Sequence, residues 1–231
     1  MAVGNNENNT LYLSVRKGKL CQTVPDNTPK ALNRLDKDNK PTKYWELRYE
    51  WVDGILIDVI KKETEHEGQL IKSFRVLMVD EGHNLVSIEM LFNSPYASRF
   101  FSALQNLNPF EKFKISVWMF EDKETPGKMI QGCTLYQDGD KVPLFYTKEN
   151  PRDLPPFEKI VRDGKEVLDS TAQMDFHYAH FLQYIKPELR DPRPKDNGAN
   201  TQGPRTTEPT HVNAQGVPIA IEAADTDDLP F

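Results

Sequence analysis

The chain has 231 residues, of which 38% are hydrophobic and 28% charged, and its formal net charge is −6. That length suits one domain of ordinary to large size with extra sequence, or two small domains, and the modest apolar share predicts that part of the chain is not packed. A uniformly basic nucleic-acid binder is excluded, because phosphate contacts need a positive face. The charge is segregated, however. Residues 1–48 carry nine basic and five acidic side chains, whereas residues 187–231 carry four basic ones (Arg190, Arg193, Lys195, Arg205) and eight acidic ones.

Cys21 and Cys133 are the only cysteines. Without a C-x-x-C pair there is no ligand set for a zinc ribbon, and two lone cysteines read as small apolar residues of a reduced protein. Residues 1–6 lack a basic stretch followed by an apolar one, so no signal peptide is expected. No apolar run has membrane-spanning length. The expectation is a soluble protein of the cytoplasm, bacterial or in an infected host cell, with no membrane partner.

In chain order, residues 10–24 read as two short strands joined at Lys17-Gly18, and residues 25–42 as a loop. Residues 43–52 (KYWELRYEWV) alternate, with Trp45, Leu47, Tyr49 and Trp51 on one side, which is the period of a strand. Asp53-Gly54 allows a turn or bulge, and 55–63, 69–79 and 84–92 continue as strands. The period then changes. Ser94 can cap a helix with Pro95 at its first position, and Ala97, Phe100, Phe101, Leu104 and Leu107 give residues 95–107 an apolar stripe. Strands resume at 112–121 and 128–137, followed by a turn into 142–147 and a proline-bearing loop. A second helix is predicted over 170–185, with Met174, Tyr178, Phe181, Leu182 and Ile185 as its stripe. From Pro187 the composition turns to proline, glycine and polar residues, which cannot bury enough surface to offset ordering.

The predicted class is therefore β-rich, all-β with one or two added helices. Three strands, a helix and two strands match the order of a five-stranded oligonucleotide-binding (OB) barrel with a disordered C-terminal tail; the alternative is some other mixed α+β domain or a sandwich. The expected division is 1–186 as the binding domain, 187–222 as linker and 223–231 as an acidic tip.

The last seven residues are Asp225-Thr226-Asp227-Asp228-Leu229-Pro230-Phe231. Carboxylates precede an apolar pair, Pro230 limits backbone freedom, and Phe231 can fill an apolar pocket while its α-carboxylate meets a cation. This Asp-Asp-Leu-Pro-Phe ending, after a linker and a β-domain, resembles the tail of bacterial and phage single-stranded DNA-binding proteins, with a divergent, viral-looking core. The resemblance implies an OB core that coats single-stranded DNA without strong sequence preference during replication, recombination or repair. It also implies recruitment of replication and repair proteins through Asp225, Asp227, Asp228, Leu229, Pro230 and Phe231, and leaves a homo-oligomer open.

Sequence-tolerant binding of a single strand needs aromatic faces and cations in one groove. The candidates are Tyr44, Trp45, Arg48, Tyr49, Trp51, Lys61, Lys62, Lys72, Phe74, Arg75, Lys114, Trp118, Phe120, Lys128 and Tyr136. Core packing is the competing role for each aromatic, and a solvated surface for each cation. Arg16, Lys17 and Lys19, with Lys37, Lys40 and Lys43, are candidates to extend the groove. No phosphate loop, dinucleotide fingerprint or nucleophile elbow occurs, and His177 and His180 have no carboxylate placed convincingly beside them. The expectation is a binding protein without catalysis or cofactor. The rivals are a replication or recombination mediator with weak DNA affinity and, from another class, a tailed DNA-processing enzyme.

Overall fold

The computed structural model describes residues 10–193 except 37, 67 and 163. The linker and the acidic tip expected over 194–231, and with them Asp225, Asp227, Asp228, Leu229, Pro230 and Phe231, lie outside the described residues.

Four strands open the fold: β1 (Leu11–Arg16), β2 (Lys19–Val24), β3 (Leu32–Leu35) and β4 (Pro41–Tyr49). The long β5 (Trp51–His66), β6 (Gln69–Val79) and β7 (Leu85–Leu91) lead into helix α1 (Pro95–Leu104). After it come β8 (Phe113–Glu121), β9 (Met129–Gln137) and the short β10 (Asp140–Lys141). A hairpin of β11 (Glu158–Arg162) and β12 (Lys165–Asp169) precedes helix α2 (Thr171–His180), which runs on through a π turn at Phe181–Ile185 and a 3-10 turn at Lys186–Glu188.

The protein is β-rich with two helices, as expected, but the strands form one ten-stranded sheet in the order β10-β9-β8-β5-β6-β7-β1-β2-β4-β3, plus the separate β11–β12 hairpin. Residues 25–42 were expected as a loop, yet they contain β3 and the start of β4. β11 and β12 fall in a stretch that its prolines made read as a loop. Gly54 makes no turn. It sits inside β5, where an added Cβ would come within 2.5 Å of the Val79 carbonyl oxygen, so glycine serves close strand approach. The bulge lies just beyond, between Leu56 and Asp58.

β5 ties the sheet together. Its first residues pair with β8 (Trp51 opposite Ser116, Asp53 opposite Lys114) and the rest with β6. Its predecessor β4 pairs instead with β2 and β3, so the bend at Glu50 sends consecutive strands to distant places in the order. The sheet consequently curls, bringing the β1–β2 turn onto β8: an added Cβ on Gly18 would lie 2.5 Å from the Met119 amide nitrogen. Gly18 also has φ +71 and donates its N–H to the Tyr96 hydroxyl at 3.0 Å. Among the described residues no strand ladder closes this curl.

The inner side holds the core. Phe74, Val76 and Met78 from β6 meet Phe113, Ile115 and Val117 from β8, and Cys133 and Leu135 from β9. Ser94 caps α1, accepting from the Ala97 amide at 3.2 Å, and Phe100, Phe101 and Leu104 insert among them. α1 ends at Leu104 rather than 107. α2 covers the β5–β6 end, with Met174 and Phe181 buried and Tyr178 5.4 Å from the Phe74 ring. Leu182, predicted on its apolar stripe, points outward instead, because the π turn from Phe181 shifts the helical phase. Both cysteines are free and buried, and desolvation pushes both thiols up to about 12, which keeps them unreactive.

His177 is buried in contact with Phe101 and Tyr146, and burial holds its pKa down at about 4, with nearby His180 adding to the effect. The folded state therefore prefers the neutral ring, while the unfolded chain takes up a proton near the ordinary value of 6.5. Stability from this site is complete above that value and is lost as pH falls toward 4. Thermal melts between pH 7.5 and 5 should show a falling Tm in the wild type and a shallower dependence in His177→Gln. An equal slope in both would place the proton uptake elsewhere.

Candidate nucleic-acid interface

β8 alternates strictly. Phe113, Ile115 and Val117 face the core, which turns Lys114, Ser116, Trp118 and Phe120 outward. The ladder sets Tyr136 beside Lys114, Thr134 beside Ser116, Gly132 beside Trp118 and Ile130 beside Phe120 on β9, and Trp51 of β5 beside Ser116. Thus Trp51, Lys114, Trp118, Phe120 and Tyr136, drawn from three strands, share one outer face. Trp51 and Phe120 are each 52% exposed, an unusual placement for large aromatics.

The cations on this face are held by rings. The Lys114 ammonium lies 4.7 Å from the Tyr136 ring centroid and 5.7 Å from that of Trp51. Asp53, opposite Lys114 in the ladder, is bound by Lys112 at 2.8 Å. Arg99, which is not among the residues expected from the sequence, arrives from α1. Its Nε donates to the Cys133 carbonyl on the free side of β9 at 3.3 Å, and its guanidinium lies 5.2 Å from the Trp118 ring centroid. Phe120 stacks on the same indole at 5.1 Å and 25°. Neither Lys114 nor Arg99 forms an ion pair among the described residues, so both add positive potential to this face, with the Lys114 ammonium open to an anionic ligand.

Several donors are already committed. The Trp118 indole N–H donates to the Thr134 hydroxyl at 3.0 Å and the Ser116 hydroxyl to the Glu50 carbonyl at 3.3 Å. What remains outward is mainly ring surface and positive charge, a combination that grips bases and phosphates with little reading of base edges. Lys128 is exposed in the turn that enters β9, at the Phe120 end of this face. Lys17 lies in the β1–β2 turn next to Gly18, the residue that meets the Trp118–Met119 backbone.

The other predicted residues lie elsewhere. Phe74 is corrected outright: it is 1% exposed and central to an aromatic cluster with Phe92, Phe101 and Tyr178, because α1 and α2 both pack on its side of β6. Lys61 is tied to Asp175 of α2 at 2.8 Å, and Lys72 lies 3.7 Å from Glu63. Lys62 is half-buried on the same strand pair. Arg75 projects from the other side of β6, as alternation required, opposite Glu89; its Nε and Nη2 are buried without hydrogen-bond partners.

At the β4 end, Arg48 binds the buried Glu46 at 2.8 Å, and Tyr44 stacks with Lys43 and Arg34. Trp45 is half-buried, and Tyr49 packs on the core while its hydroxyl donates to Gln22 at 2.9 Å. Trp45, Tyr49 and Trp51 were expected on one side of a single strand. The bend at Glu50 breaks that strand and separates Trp51 from the other two.

Among the described residues no group of three or more His, Cys, Asp or Glu is placed to hold a metal ion, and no helix is long and apolar enough to cross a membrane. No protein-family model, curated protein or solved structure matches the chain.

Proposed function

We propose that this chain is a single-stranded DNA-binding protein that coats DNA with little sequence preference, laying bases and phosphates along the β5–β8–β9 face. One observation carries the reading: exposed Trp51 and Phe120 share a single outer face with ring-held Lys114 and Arg99. Stacking on rings with cations alongside is how proteins hold single strands without reading sequence. The succession β5-β6-β7-α1-β8-β9 supports taking this region as an OB-type barrel, with β1 to β4 added along the β7 side and the curl left open. In the same reading, the acidic and apolar side chains of Asp225, Asp227, Asp228, Leu229, Pro230 and Phe231 recruit replication and repair proteins, on the strength of their sequence alone.

The test is fluorescence anisotropy of labelled oligo(dT), titrated with the full chain at two salt concentrations beside a duplex of equal length. The expected result is nanomolar-to-micromolar binding that weakens with salt and is poorer for duplex. No binding at low salt would overturn the proposal and favour an adaptor whose tail does the work.

A further inference from the structure

Resting on that reading, we infer that Arg99 is the positioning residue of the interface: it fixes Trp118 so that Phe120 stands ready for a base. The geometry is unusual. α1 packs on the core side of β9, yet Arg99 reaches past that strand's free side to the outer face, anchored on the Cys133 carbonyl at 3.3 Å. There its Cδ and the Trp118 ring occupy the space above Gly132. A Cβ at Gly132 would lie 2.4 Å from Arg99 Cδ and 2.9 Å from Trp118 Cζ2, so any side chain there would displace one or both.

The indole is held at four points: by Arg99 at 5.2 Å, by Phe120 at 5.1 Å, by the Thr134 hydroxyl at 3.0 Å and by the bare backbone of Gly132. So restrained, Trp118 is the support, and half-exposed Phe120 is the ring with surface left for a base. A ring fixed before binding loses little freedom when a base stacks on it. Arg99 acts through Trp118; its charge adds to the local potential without making a phosphate contact of its own.

Arg99→Ala, Arg99→Lys, Gly132→Ala and Phe120→Ala are compared with the wild type in oligo(dT) titrations across a salt series. Trp118 emission is followed in a background with Trp45→Phe and Trp51→Phe. Both Arg99 variants should bind about tenfold more weakly, the scale of one base-stacking contact. Their dependence of log affinity on log salt should be unchanged, and Trp118 emission should shift to the red. Gly132→Ala should weaken binding less when Arg99 is already alanine, because the two share one space. Wild-type affinity in Arg99→Lys, or a salt slope smaller by about 0.7 in Arg99→Ala, would overturn the inference and make Arg99 a direct phosphate contact. Loss from Phe120→Ala with none from the Arg99 variants would overturn it while leaving the functional reading intact. A wild-type chain that does not bind would overturn both.

Discussion

Replacing Trp51 and Phe120 together with alanine should lower the affinity for oligo(dT) by roughly a hundredfold while leaving the melting temperature nearly unchanged. Each ring is half-exposed on the outer face, so neither truncation opens a cavity in the core. A stacked base contributes on the order of 1–3 kcal/mol. The two sites should act independently: Trp51 lies opposite Ser116, four residues along β8 from Phe120, a separation of about 13 Å at the rise of a strand. Effects at that distance add. Anisotropy titration of the two single variants and the double variant checks both the size and the additivity. A double variant that binds like the wild type would remove the β5–β8–β9 face from the account.

Phe74→Ala has the opposite signature. Phe74 meets Phe92 at 5.0 Å, Phe101 at 4.8 Å and Tyr178 at 5.4 Å, joining both helices to the sheet. Truncating such a ring removes apolar contact and leaves a cavity, at a cost of about 3–5 kcal/mol. Denaturant unfolding should show that loss, and the molecules that remain folded should bind oligo(dT) as before. A stable variant with lost DNA affinity would show instead that Phe74 faces a ligand.

The contrast between these residues shows where the sequence is readable. KFKISVWMFE was legible as a strand that interleaves aromatics and cations, and the period of a strand, which depends on local residues alone, is what sets Lys114, Trp118 and Phe120 on one face. Alternation also put Phe74 and Arg75 on opposite sides of β6, but it could not say which side the helices would cover. That depends on where α1 and α2 dock, and both dock on Phe74.

The run KYWELRYEWV misled for a related reason. Its alternation continues unbroken through Glu50, while the chain bends there to serve two distant parts of the sheet. Ser94-Pro95 announced α1 correctly, since a cap and a first-turn proline are local signals. Arg99 was invisible because its reach around β9 requires Gly132, thirty-three positions later, to be bare. A glycine within an otherwise regular strand is the one sequence signal that something approaches closely.

The central claim is that single-stranded DNA lies on the face built by β5, β8 and β9. Ultraviolet cross-linking of oligo(dT) to the wild-type chain, followed by peptide mapping, tests it most directly. The account predicts adducts at Trp51 and within residues 113–121, with Phe120 prominent. Adducts confined to the β1–β2–β4 region, around Tyr44 and Arg48, would contradict it.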